Sequence, residues 1–261
     1  MGSRLAYLGA LAGANLRAGI AQRGAALAAA AMMLGNNAIF FTVWLVYFAN
    51  FSSLRGWALP DLALLIGIVV WAFGLMVVLA GGVRDLAQTI VAGGLDIHLV
   101  RPRHPLPALL MSRSIPSGLG DMASALLFWL WFAGRGPADL PLLLAVSTAA
   151  AVVFGATLTV TQCIVFWFPG ALAVCEDLLN IVLMVAYYPQ HPYGFAVRLL
   201  LFTVLPVAFV GFLPAEAVRR GDPGMALAVL AAALVYGAVA VLVFDRGLER
   251  YASGNRFLEL R

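Results

Sequence analysis

Glu176 and Asp177 are the one adjacent carboxylate pair in the sequence, and a carboxylate pair is what general acid and base chemistry or a proton-carrying site would use. Neighbouring positions on a helix point in divergent directions, so the two cannot face one reacting atom together. His98, His104 and His191 stand isolated, and each reads as a polar loop residue. Cys163 and Cys175 lie in apolar surroundings without metal-ligand spacing and read as small packing residues. No G-x-S-x-G elbow and no H-E-x-x-H pair occurs. All sixteen basic residues are Arg. Without Lys there is no P-loop lysine to reach nucleotide phosphates and no Schiff base, so any ATP-driven activity requires another polypeptide.

The other polar residues of interest are embedded in apolar runs. Asn36 and Asn37 fall near the middle of one, and Thr157, Thr161 and Gln162 near the end of another. An amide at membrane depth needs a partner, which either a neighbouring helix or a polar translocation path would supply, and both readings stand. The threonines share a helix face and can bond their own backbone or contact a substrate.

These residues belong to a chain that is 63% hydrophobic and 11% charged, with a mean hydropathy of +0.98. A soluble domain carries roughly 25% charged residues, so this composition indicates a polytopic, all-α integral membrane protein. The pI near 9.4 then reads as topology and contact with anionic lipid headgroups, with no nucleic acid implied.

Residues 1–23 are expected to form an interfacial helix. Leu5, Leu8, Ala12, Leu16 and Ile20 recur at three- and four-residue spacing between polar flanks; a charged leader before the first span would use the same residues. Runs of about 20 apolar residues then place spans at about Ala25–Phe48, Asp61–Gly81, Ile115–Phe132, Leu142–Phe168, Ala171–Tyr188 and Met225–Phe244. Gly67, Gly74 and Gly81 repeat every seven residues in the second of these, which predicts close helix approach along one face. Between the second and third spans, residues 82–113 form a polar, basic interruption. Arg84, Asp85 and Gln88 suit a short helix ended by Gly93 and Gly94. Leu95–Val100 is an apolar patch, and Pro102, Pro105 and Pro107 stiffen the return.

Residues 189–221 leave two topologies open. If Ala196–Leu213 crosses, there are seven spans and the termini lie on opposite sides; if it dips in and returns, there are six and the termini share a side. The positive-inside rule favours six, with the start, the 82–113 loop and the 245–261 tail cytoplasmic, because eleven of the sixteen Arg then fall inside. Pro206 suits a broken, re-entrant pair of helices. The expected fold is thus a single transmembrane domain, 1–261, of six transmembrane helices with an N-terminal interfacial helix and a re-entrant helical hairpin before the last span.

Three stretches, AGGLDIHLVRPRHPLPALL, YYPQHPYG followed by LLLFTVLPVAFVGFLPAEAV, and GLERYASGNRF, resemble the membrane subunit of a bacterial ABC transporter of the type-2 exporter class, in its small six-span permease family. The resemblance implies a half-transporter in the bacterial cytoplasmic (inner) membrane, paired with a second permease, identical or paralogous. It also implies two copies of a cytoplasmic ABC ATPase subunit, which hold the ATP and Mg; the permease binds no cofactor and performs no chemistry. By that analogy 1–23 is an elbow helix, and Arg84, Asp85, Gln88, Gly94, Leu95, Asp96, Ile97, His98 and Leu99 form the ATPase-coupling element. The hairpin 189–221 would cap the outer end of the path. Asn36, Asn37, Thr157, Thr161, Gln162, Glu176 and Asp177 are the candidate path residues, for an amphipathic or hydrophobic cargo such as a drug, natural product or lipid-like molecule. A proton-coupled secondary carrier using Glu176 and Asp177 is the alternative.

Overall fold

A computed structural model describes residues 2–54, 56–100, 102–187 and 206–251. The described chain is helical. Its elements are α1 (Gly2–Gly19), α2 (Arg23–Asn50), α3 (Leu59–Ala80), three short helices α4 (Leu86–Val91), α5 (Asp96–Leu99) and α6 (Pro105–Leu110), then α7 (Gly118–Leu127), α8 (Leu140–Gln162), α9 (Leu172–Ala186), α10 (Phe212–Arg220) and α11 (Pro223–Leu248).

Among the described residues, five stretches are long and apolar enough to cross a membrane: Arg23–Asn50, Leu59–Val91, Pro137–Phe166, Pro169–Ala186 and Pro223–Leu248. The remaining expected span, Ile115–Phe132, is a shorter apolar helix, Gly118–Phe132. Its last turn is π-helical, Phe128–Phe132, and its fifteen residues rise only about 22 Å, less than a hydrocarbon core of about 30 Å. Pro116 keeps the preceding residues out of the helix. They run instead as an extended lead-in in which the Ile115 amide bonds the Val77 carbonyl at 3.0 Å.

α3 is the axis of the bundle. It is apolar all round, as a helix surrounded by protein must be, and Leu62 to Val70 are almost wholly buried against α7, α8 and α10. The three regularly spaced glycines of this helix and its end turn toward α7 and its lead-in. A Cβ on Gly67 would strike the Trp129 ring, one on Gly74 would lie 2.6 Å from the Gly118 carbonyl, and one on Gly81 would lie 2.8 Å from the Arg113 carbonyl. On the far side of α7, Gly120 lies directly against the Ala30 backbone of α2.

The two ends of the bundle differ. At one, α10 lies beside the start of α3. Glu216 is buried and takes bonds from Arg219 at 2.8 Å and Arg220 at 2.7 Å, while Arg219 also covers the Trp57 ring at 5.1 Å and approaches Asp61 at 4.0 Å. Burial pushes the Glu216 carboxyl up, but the hydrogen bonds from Arg219 and Arg220 outweigh it and hold the group below the ordinary glutamate range. Gly221, at φ 62°, ends α10, and the Asp222 carboxylate caps α11 through the Gly224 and Met225 amides. Residues leading into α10 sit deeper: Gly211 lies against Val69 and the Ala186 carbonyl, and the Phe209 ring is 6.0 Å from Tyr236. Of the expected hairpin 189–221, residues 189–205 lie outside the described residues, as do 252–261 of the tail. At the other end, α4, α5 and α6 form a platform.

Candidate functional site

The platform is built from short helices because glycine and proline punctuate it. A 3-10 turn, Gly81–Asp85, leads into α4. Gly93 takes φ 78°, a conformation that costs glycine little and other residues more, and the Gly94 amide closes on the Thr89 carbonyl at 2.8 Å. α5 follows directly. Pro105 then opens α6, where the His104 ring nitrogen accepts from the Leu106 amide.

Within the apolar patch the side chains divide. Leu95 is fully buried, in a second core with Leu86, Ile90, Leu106, Phe166 and Phe244. It therefore supports the platform from beneath. Ile97, Leu99 and Val100 are 65%, 42% and 84% exposed, and they project as an apolar ridge. Gln88 is exposed beside it, and Gly94, Asp96 and His98 are half-buried.

Side-chain bonds tie this platform to the rest of the chain. Gln162, at the end of α8, accepts from the Ala87 amide at 3.1 Å and donates to the Cys175 carbonyl of α9 at 3.3 Å. One buried amide thus joins α4, α8 and α9. Tyr251 donates to Asp96 at 3.1 Å, and burial first, with this bond second, pushes its phenol up to about 12. His104 meets Asp245 at 2.8 Å, Asn15 of α1 donates to the Met111 carbonyl, and Arg103 lies over the Tyr7 ring at 4.1 Å.

Beside the platform is a polar cavity of about 630 Å³, with Arg84, Asp85 and Arg113 on one wall and Gln162, Glu176 and Asn180 on the other. Arg113 and Asp85 pair at 2.9 Å. The structure thereby brings together Arg84, Asp85, Gln162 and Glu176, which the sequence distributes over 93 positions. Asp177 is exposed but does not line the cavity, as expected of adjacent helical positions.

The other candidates separate. Asn37 is buried and donates to Asp121 at 2.8 Å and Ser124 at 3.2 Å, both on α7. It is glue between two helices. Asn36, one position on, is exposed on the face of α2 that carries Met32, Ile39 and Val43. Thr157 and Thr161 are buried and bond the Val153 and Leu158 carbonyls of their own helix. Each hydroxyl proton is thus donated within α8. Asp121 is the residue that sequence reasoning passed over. It is 1% exposed and its second carboxylate oxygen has no partner among the described residues; an ionisable residue inside an apolar run was the available signal.

Neither the curated proteins nor the solved structures provide a match to the chain. Residues 34–254 match the family described as ABC-2 family transporter protein. With that match over most of the chain and helices that can span a membrane, the protein belongs to the ABC-2 transporter family and is an ABC permease.

Proposed function

We propose that this permease is the membrane half of an ATP-driven exporter that exports an amphipathic or hydrophobic compound. It would sit in the bacterial inner membrane with both termini and the platform on the cytoplasmic side, dimerise with an identical or paralogous permease, and seat two copies of a cytoplasmic ABC ATPase subunit. The observation that carries this reading is the platform itself: an exposed ridge of Ile97, Leu99 and Val100 on short helices that Gln162 fastens to α8 and α9. A ridge pushed by a partner transmits that force through Gln162 to two membrane helices. Exposed apolar side chains at the end of a bundle, rimmed by polar groups, are the surface a protein partner covers.

Dimerisation is supported by α2. Its outward face carries Met32, Asn36, Ile39 and Val43, and a polar amide on an outward face in the membrane needs another protein or a polar path. Two such bundles would make the path between them. ATP-driven closure of the ATPase pair would move the platforms and switch the dimer between inward- and outward-facing states, and unequal cargo affinity in those states would set direction. The chain would supply no chemistry; the partner would hold ATP and Mg. The described start of α10, deep beside Val69, supports a re-entrant hairpin on the outer side.

Replacing Ile97 and Leu99 together by Asp tests the docking surface. The variant is expected to insert normally and to lose its ATPase on affinity purification from membranes. Retention of the ATPase at the wild-type ratio would contradict the platform as its seat.

A further inference from the structure

The polar cavity beside the platform has a charge arrangement that selects a ligand. Its two cations and two carboxylates balance. Arg113 and Asp85 neutralise each other at 2.9 Å, which leaves Arg84 on the platform wall and Glu176 on the α9 wall, both exposed and without an ion pair among the described residues.

The α9 wall also changes character along its length. Glu176, Asn180 and Met184 recur every four residues and stack on one face, and beyond the two polar positions Ile181 and Met184 are 48% and 68% exposed. A polar end followed by an apolar strip matches an amphipathic molecule lying along the helix.

We infer that this cavity binds the zwitterionic head of an amphipathic molecule. Arg84 takes the anionic group, of phosphate type, Glu176 and Asn180 take the ammonium, and the apolar part follows α9 past Met184. A purely anionic head would meet Glu176 with a like charge, and a purely cationic one would meet Arg84. The cavity also touches Gln162, which holds the Ala87 amide of α4, so an occupant would sit one side chain away from the platform helix. This assignment rests on the transporter reading. Its test reads binding on the permease itself, so absence of an ATPase partner would overturn that reading and leave this measurement standing.

The test is native mass spectrometry of the full chain, purified in mild detergent with whatever subunits accompany it, titrated with phosphatidylethanolamine or phosphatidylglycerol. The zwitterionic lipid should be retained in preference to the anionic one by about tenfold. Glu176→Gln should cut that preference at least about threefold, the order expected for one partly exposed charge contact, and Arg84→Gln should weaken retention of both lipids. Asp177→Asn, one position along and off the cavity, should change nothing. Competition by free phosphoethanolamine would identify a soluble zwitterion as occupant, and its failure to compete would identify a membrane headgroup; either result supports the site. Equal retention of the two lipids, or a preference unchanged in Glu176→Gln, would overturn it.

Discussion

Gln162 and Asn37 are each a buried side-chain amide, and each is explained by the groups it satisfies. Gln162→Leu removes the acceptor for the Ala87 amide and a donor to the Cys175 carbonyl. An unsatisfied buried donor costs about 1–3 kcal/mol, so the variant should unfold at a lower temperature in detergent. If the side chain also passes force from platform to bundle, transport should fall by more than the loss of folded protein explains. Asn37→Leu leaves Asp121 without its amide donor and should destabilise by a similar about 1–3 kcal/mol, whereas Asn36→Leu, on the outward face, should leave the stability of the single bundle unchanged. Asp177→Asn should leave ATP-driven transport intact, since that carboxylate lies off the cavity; abolished transport would favour a proton-coupled carrier. At the opposite end Glu216 gives a pH signature. Its folded value is depressed by Arg219 and Arg220, so its stabilisation is present above the ordinary glutamate range and is lost as pH falls through the depressed value. A stability profile over pH 2–6 (about the window in which glutamates titrate) should therefore slope more steeply in the wild type than in Glu216→Gln.

Helices are positioned here by what is missing from their surfaces. Gly67 and Gly74 let α3 meet α7 so closely that any side chain at Gly67 must displace the Trp129 ring. Gly67→Leu should cost at least about 2 kcal/mol through overpacking, and a thermal unfolding measurement in detergent would detect it. This approach was legible in the sequence, because a seven-residue glycine spacing projects onto one helix face. The end of α4 at Gly93 was legible for a similar reason: local backbone chemistry decides it. Other features were hidden because their causes are distant. Whether Leu95 faces in or out of a one-turn helix depends on a core supplied by Phe166 and Phe244, which no local pattern reveals. That Gln162 holds the Ala87 amide was hidden because the two lie 75 positions apart. Asp121 is one polar interruption in an apolar run, and only its pairing with Asn37 across two helices shows how it is accommodated. The shortness of α7 likewise follows from Pro116 and the lead-in bonded to Val77, where hydropathy alone extends the span to Ile115.

Taken whole, the chain is an ABC-2 permease with a bundle organised around α3, a platform at one end, and an α2 face that is exposed among the described residues. It contains no lysine and so cannot supply a P-loop. Among the described residues, a bundle whose interior is filled by α3 shows no wide polar conduit through its own centre. Both facts point to an assembly of several chains. The most direct test is affinity purification of the tagged protein from native membranes in mild detergent, with mass spectrometry of its stoichiometric partners. The account predicts recovery of a P-loop ATPase at one copy per permease, either with the tagged permease alone or with a paralogous second permease. Recovery of a stable protein free of any ATPase across several mild detergents would contradict it.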